Sequence, residues 1–220
     1  MTGNPALSRV DPALSRVDPA LRRLDQAVRQ VAEFTRGRMA SGLNHMSADD
    51  VTGTIATDDA IGFDPRQLLQ ALHHCAAPAV VIGQVAGIMH GSGELTGDLD
   101  LLWDGDERHA AAMAAAFGSV GAQLADDNGA AVACDAAAFR LPKLLFSTPG
   151  ASGDCCTPAL PWGDLPIAEF LGRREIAAAP GLEVGYLRRE DLIRMRRMAG
   201  RPKDLRRADE LARLGGPFAR

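Results

Sequence analysis

Two aspartates one residue apart, Asp98 and Asp100, are the side chains in this sequence best placed to do chemistry. They stand in residues 90–103, HGSGELTGDLDLLW, which open on a Gly-Ser turn and close in an apolar strand. Residues i and i+2 of a strand project from one face, so both carboxylates point the same way while Leu99 and Leu101 point into the sheet. Two carboxylates side by side repel and raise each other's proton affinity. A divalent cation between them removes that cost, and hard oxygen ligands suit Mg2+. Taken alone, a D-x-D pair is common, and at a strand edge it is usually a solvated turn.

The elements that must position this pair lie just upstream. Residues 78–83 (PAVVIG) are short, apolar and bounded by Pro and Gly, which predicts a buried strand. Residues 84–90 can form a short helix, and Gly91-Ser92 then turns the chain. Exposed backbone N–H groups and a Ser hydroxyl at that turn can hold phosphate oxygens. Phosphate grips and metal-binding carboxylates would then share one compact strand–helix–turn–strand unit.

This combination, Gly91 and Ser92 followed by Thr96, Asp98 and Asp100 as T-x-D-x-D, resembles the signature of the polymerase-beta-like nucleotidyltransferase superfamily. It is most similar in style to the small bacterial AbiEii/MNT-like members, found in toxin–antitoxin systems. The resemblance implies that Gly91-Ser92 holds a nucleoside triphosphate (NTP) and that the two aspartates bind Mg2+. It also implies a third carboxylate on a neighbouring strand, which completes the site and helps to activate the attacking hydroxyl. Asp154, in a strand-like segment after the turn at residues 149–152, is the candidate, with Asp135 and Asp164 as fallbacks. The competing reading of Asp154 is a turn cap. Near the C-terminus, DLIRMRRMAGRPKDLRRADEL also resembles the superfamily through Arg201, Lys203 and Asp204, with Lys203 as a nucleotide contact. The lysine usual in the preceding helix is missing, and Arg194, Arg196 and Arg197 occupy that region. An arginine is always charged but does not replace a lysine as a proton donor or nucleotide contact.

The chain has 220 residues and a formal net charge of −4, enough for one ordinary domain with a small appendage. Residues 173–220 carry 13 basic and 7 acidic side chains, against 11 and 21 in the remainder. Of the 24 basic residues only Lys143 and Lys203 are lysines. An Arg-rich end facing an acidic site suits a triphosphate or a nucleic acid. No apolar run approaches the roughly 20 residues of a membrane span, and no apolar stretch follows the first residues as in a secretory signal. A cytoplasmic protein without membrane contact is expected. Cys75, Cys134, Cys155 and Cys156 show no metal-ligand spacing, and the adjacent pair should point to opposite sides of a strand as reduced thiols.

Residues 5–25 repeat as PALSRVD, PALSRVD, PALRRLD, and a proline in every unit argues against one continuous helix. Residues 1–20 are therefore expected to be a flexible extension. Residues 21–63 are expected to be a helix with Leu21, Leu24, Val28, Val31 and Phe34 on one face, then a long acidic loop. Residues 64–214 are expected to form the domain: α/β (α+β), a small mixed sheet with flanking helices and a C-terminal helix pair. Helices are predicted from Asp64-Pro65, over 109–124, over 165–173, from 190 to 198, and after Pro202 with Leu205, Ala208, Leu211 and Ala212 inward. Strands are predicted at 98–103, from 131, within 139–148, at 153–156 and at 182–186.

The function these readings imply is Mg-dependent transfer of a nucleoside monophosphate from an NTP to a protein, RNA or small-molecule hydroxyl. A catalytically silent module of the same fold, binding a cognate toxin or antitoxin, is the alternative. An RNA-binding role for the Arg-rich end lacks interleaved aromatics.

Overall fold

The structure, a computed structural model, describes residues 17–44 and 47–215. The first heptad copy, all of the second but Val17 and Asp18, and most of the expected extension lie outside the described residues. The third copy is helical. Helix α1 (Pro19–Phe34) starts at its proline, with Asp18 as N-cap accepting the Ala20 N–H at 2.7 Å, so the helix begins before residue 21. Proline suits this first turn because its missing N–H has no partner there. Ala20, Leu21, Leu24, Ala27, Val28 and Val31 face inward, whereas Phe34, at the last turn, is 61% exposed.

The chain then forms helix α2 (Arg66–His74), strand β1 (Val80–Val81), helix α3 (Gly83–Met89) and strand β2 (Leu101–Leu102). Helix α4 (Glu107–Ser119) follows, capped by Asp106, and then strands β3 (Gln123–Ala125), β4 (Ala131–Val132), β5 (Lys143–Ser147) and β6 (Ser152–Cys156). Helix α5 (Ile167–Gly172), strands β7 (Glu175–Ala179) and β8 (Leu182–Tyr186), and helices α6 (Arg189–Ala199) and α7 (Pro202–Leu214) complete it. Two differences from expectation stand out. The helix read through residue 124 ends at Ser119, and Gly121 in the left-handed region reverses the chain into β3, which pairs with β5. Strand β7, an Ala-rich segment with weak alternation, was not foreseen; it is fixed by its antiparallel pairing with β8.

The eight strands form one mixed sheet in the order β4-β3-β5-β6-β2-β1-β8-β7. Strands β2 and β6 are parallel, as are β1 and β8, and the other neighbours are antiparallel. Leu101 pairs with Cys155 and Cys155 with Leu144, so these side chains share a face. Helix α4 covers it, with Phe117 against Phe146 at 5.2 Å between ring centres and against Phe139 at 5.2 Å, and α2 packs on α4. Leu99, Leu101, Leu102, Trp103 and Leu144 are buried. The opposite face carries Asp154 and Cys156 on β6 and Lys143 on β5, since residues two apart on a strand share a side. Helices α6 and α7 pack on each other as the expected C-terminal pair, and α3 packs against α6 and α1.

Candidate functional site

The neighbouring inner strands β1 and β2 are only two residues long each, and the site is built where the chain leaves and joins the sheet there. After β1 the backbone turns at Gly83, in the left-handed region, directly into α3. A Cβ at Gly83 would overlap the Asp100 carboxylate, so only glycine lets the turn approach that acid. Asp98 and Asp100 lie in the extended approach to β2, held by Leu99 N–H to Ser152 O and Ile82 N–H to Asp100 O, each 2.9 Å. Carried back one residue, the β2–β6 register sets Asp100 beside Asp154.

Asp98, Asp100 and Asp154 line one cavity of about 710 Å³. The cavity also takes in the Ile82–Gln84 turn, Thr54, Lys143, Cys156, the loop around Trp162, and the inward sides of α6 and α7. Five cationic side chains line it: Lys143, Arg196, Arg201, Lys203 and Arg207. Both lysines of the chain are among them. Asp135 is instead engaged by the N–H groups of Ala137 and Ala138, and Asp164 is exposed; neither lines the cavity.

Each acid has protein partners. Thr54 Oγ1 donates to Asp98 Oδ1 at 2.8 Å, and Thr96 Oγ1 donates to the same oxygen. The Gly97 N–H holds Thr54 Oγ1 at 3.1 Å. Lys143 Nζ lies 3.2 Å from Asp154 Oδ2 and 2.9 Å from Asp127 Oδ1. Burial pulls the Lys143 ammonium down, but Asp127 and Asp154 more than offset it and leave its pKa raised. Burial, then the nearby Asp154 and Asp100 charges, push the Cys156 thiol up, so it stays protonated at neutral pH. Among the described residues no three His, Cys, Asp or Glu side chains lie close enough to hold a metal ion together. As a donor set, Asp98 and Asp100 suit a hard divalent cation, while Asp154 is engaged by Lys143.

The residues expected to grip phosphate separate. Lys203 lines the cavity, with its ammonium 3.8 Å from Asp50. Thr96 is buried and serves Asp98. Gly91 and Ser92 lie outside the lining. Helix α3 carries the chain about 9 Å along its axis from Gly83, at 1.5 Å per residue, before it reaches them. There Ser92 Oγ donates to Glu210 Oε2 at 2.7 Å and accepts from Gln84 Nε2 at 3.0 Å. The Gly-Ser turn ties α3 to α7.

The largest feature not foreseen is Arg196. It is 5% exposed, and its Nη2 donates to Gly83 O at 3.0 Å and to Gln84 Oε1 at 2.7 Å. A Cβ at Gly87 would stand 2.7 Å from Nη2, so that glycine makes room for the guanidinium. Its Nη1 has no hydrogen-bond partner, an open donor on a buried cation. Burial, then the neighbouring Arg207, lower its pKa to about 10, which leaves it charged at pH 7. Arg207 forks onto Glu94 Oε1 at 2.8 and 2.6 Å, and Arg201 Nε donates to Asp204. The R-x-K-D string pointed to α7; nothing in the sequence singled out Arg196 from Arg194 and Arg197, or Thr54 from its polar loop.

The chain matches no known family model, and no curated protein is significantly similar to it. Among the described residues no helix is long and apolar enough to cross a membrane.

Proposed function

We propose that the cavity binds an NTP with Mg2+ and transfers its nucleotidyl group to a hydroxyl of a protein, RNA or small molecule. One observation carries this reading: three aspartates, Asp154 on β6 and two on the approach to β2, share a single cavity with a buried guanidinium that has an open N–H donor. Carboxylates alone would favour a cation; carboxylates opposite a cationic wall favour an anion and a cation together. A cavity of about 710 Å³ lies within the usual range for small-molecule and cofactor sites.

When bound, Mg2+ would neutralise charge on the entering and leaving oxygens of an in-line displacement. Asp98 and Asp100 are the residues that would hold it. Arg196, Arg201, Lys203 and Arg207 attract and orient the phosphates, a task for which charge-assisted hydrogen bonds suit them. Pro161, Trp162, Leu165, Met195 and Met198 supply an apolar wall suited to a nucleobase. Asp154 accepts the proton of the acceptor hydroxyl as its oxygen bonds the α-phosphorus and the bond to pyrophosphate breaks. The Gly91-Ser92 turn has no part in this scheme, because its polar groups are committed to Gln84 and Glu210.

The second reading, a silent fold that works by binding a cognate toxin or antitoxin, draws support from the partners already on the acids, Thr54 and Thr96 on Asp98 and Lys143 on Asp154. Calorimetric titration with non-hydrolysable NTP analogues and Mg2+ separates the two. Metal-dependent binding that disappears in the Asp98→Ala, Asp100→Ala double variant supports the enzyme. No binding of any of the four nucleotides by the unaltered chain removes the enzyme reading and leaves the module.

A further inference from the structure

We propose that Gln84 is a positioning residue for anion binding: its neutral side-chain oxygen fixes the Arg196 guanidinium at the cavity and leaves that charge to be answered by a bound polyphosphate. This inference rests on the nucleotidyltransferase reading and deepens it, by naming the side chain that sets one phosphate contact and why its type matters.

Pairing separates Arg196 from the other cations of the cavity. Lys143, Arg201, Lys203 and Arg207 each have a carboxylate within 4.0 Å, on Asp127, Asp204, Asp50 and Glu94 respectively. Arg196 has no such partner among the described residues. Its hydrogen bonds go to neutral oxygens, Gly83 O at 3.0 Å and Gln84 Oε1 at 2.7 Å, both from Nη2. Nη1 makes none. Asp204, Glu94 and Glu210 act on the guanidinium from farther away, and Arg207 acts against them. A buried cation without a paired anion is costly, and an anion bound beside it removes that cost.

The orientation of Gln84 follows from its surroundings. It stands in the first turn of α3 and is 3% exposed. Ser92 Oγ has a single proton and directs it to Glu210 Oε2 at 2.7 Å, so towards Gln84 it can only accept. Gln84 Nε2 therefore donates to Ser92 Oγ at 3.0 Å and to the Glu94 carbonyl at 2.7 Å. The amide oxygen is left for Arg196. Gly87, three residues on, keeps the space clear: a Cβ there would stand 2.7 Å from Arg196 Nη2 and 3.1 Å from Gln84 Oε1. The Gly-Ser turn touches no ligand in the scheme above, yet through Ser92 it decides which end of Gln84 meets the guanidinium. A glutamate at this position would keep the contact, but it would neutralise the charge and set a second oxygen against the Glu94 carbonyl. A glutamine avoids both.

The test is calorimetric titration of the full-length chain with inorganic tripolyphosphate and no metal, with thermal unfolding to confirm that each variant folds. The unaltered protein should bind. Gln84→Met removes the oxygen that holds Arg196 and should weaken binding about fivefold, the scale of one hydrogen bond. Added to Arg196→Met, the same change should alter affinity by less than about twofold, because no guanidinium remains to be positioned. Gln84→Glu should weaken binding at least about tenfold, since it pairs the charge that the anion needs. If Gln84→Met does not fold, Gln84→Asn leaves an amide one carbon short of Arg196 and enters the same cycle with the same expectation. Equal losses with and without Arg196 would make Gln84 merely structural and overturn the proposal, as would unchanged affinity in the single variants. Nucleotide with Mg2+ still bound by the unaltered chain in those cases, or where tripolyphosphate does not bind at all, overturns the role of Gln84 and leaves the nucleotidyltransferase reading standing. Binding of neither tripolyphosphate nor nucleotide overturns both.

Discussion

Helices α1 and α7 each begin with a proline in the first turn and each present a stripe to the interior, but they bury different chemistry. The inner side of α1 is apolar throughout: Ala20, Leu21, Leu24, Ala27, Val28 and Val31. The inner side of α7 holds Asp204 and Arg207 beside Ala208 and Leu211. Burying an aliphatic side chain stabilises by about 1.5–3 kcal/mol, whereas burying a charge costs several unless it is paired. Helix α7 meets that cost with partners, Arg201 for Asp204 and Glu94 for Arg207, and aims the assembly at the cavity. Helix α6 does the same with Arg196, except that one nitrogen is left open. The difference marks which helices hold the fold and which are spent on the site.

Breaking the apolar side should give the largest stability change. Leu24→Ala removes a side chain 2% exposed and is expected to cost about 2–4 kcal/mol in urea unfolding. Nucleotide binding by the folded fraction should be unchanged, because α1 contributes nothing to the cavity lining. On the charged side, Arg207→Ala leaves Glu94 without its fork and is expected to cost about 1–3 kcal/mol, since Glu94 retains some access to water. Triphosphate affinity should fall as well, read in the same calorimetric titration.

Arg196→Met sharpens the contrast. The exchange relieves a buried charge but leaves Gly83 O and the buried Gln84 Oε1 without their donor, so it should cost no more than about 3 kcal/mol. Affinity for inorganic tripolyphosphate should nevertheless fall at least about tenfold, the worth of one charge-assisted bond. Large destabilisation with intact affinity would make Arg196 a structural residue and return α6 to the company of α1. The smallest effect is reserved for Leu205, which is 44% exposed. Leu205→Lys should shift unfolding by less than about 0.5 kcal/mol. A larger loss would restore the simple apolar stripe on α7.

That stripe shows where sequence reasoning succeeds and where it slips. Apolar spacing on α7 suggested Leu205, Ala208, Leu211 and Ala212, yet the helix is rotated so that Asp204 and Arg207 turn inward while Leu205 and Ala212 face out. Hydrophobicity ranks residues by transfer cost and cannot see that Glu94, over a hundred positions earlier, waits as a partner. On β2 the period-two reading was sufficient, because Leu99 and Leu101 are buried and leave Asp98 and Asp100 on the other side. Cys155 and Cys156 follow the same alternation across β6, both buried and both free thiols.

The sequence by itself determined the mixed α/β class, the helical pair at the C-terminus, the strand β8, and the common face of Asp98 and Asp100. All of these follow from local spacing, whose period is set by backbone geometry. Tertiary structure alone decided that Gly83 and not Gly91 meets Asp100, that Lys143 closes on Asp154, and that Thr54 and Arg196 enter the cavity. Those contacts join residues far apart in the chain through strand register and helix rotation. A shift of one residue in either would send the same side chains to the opposite face.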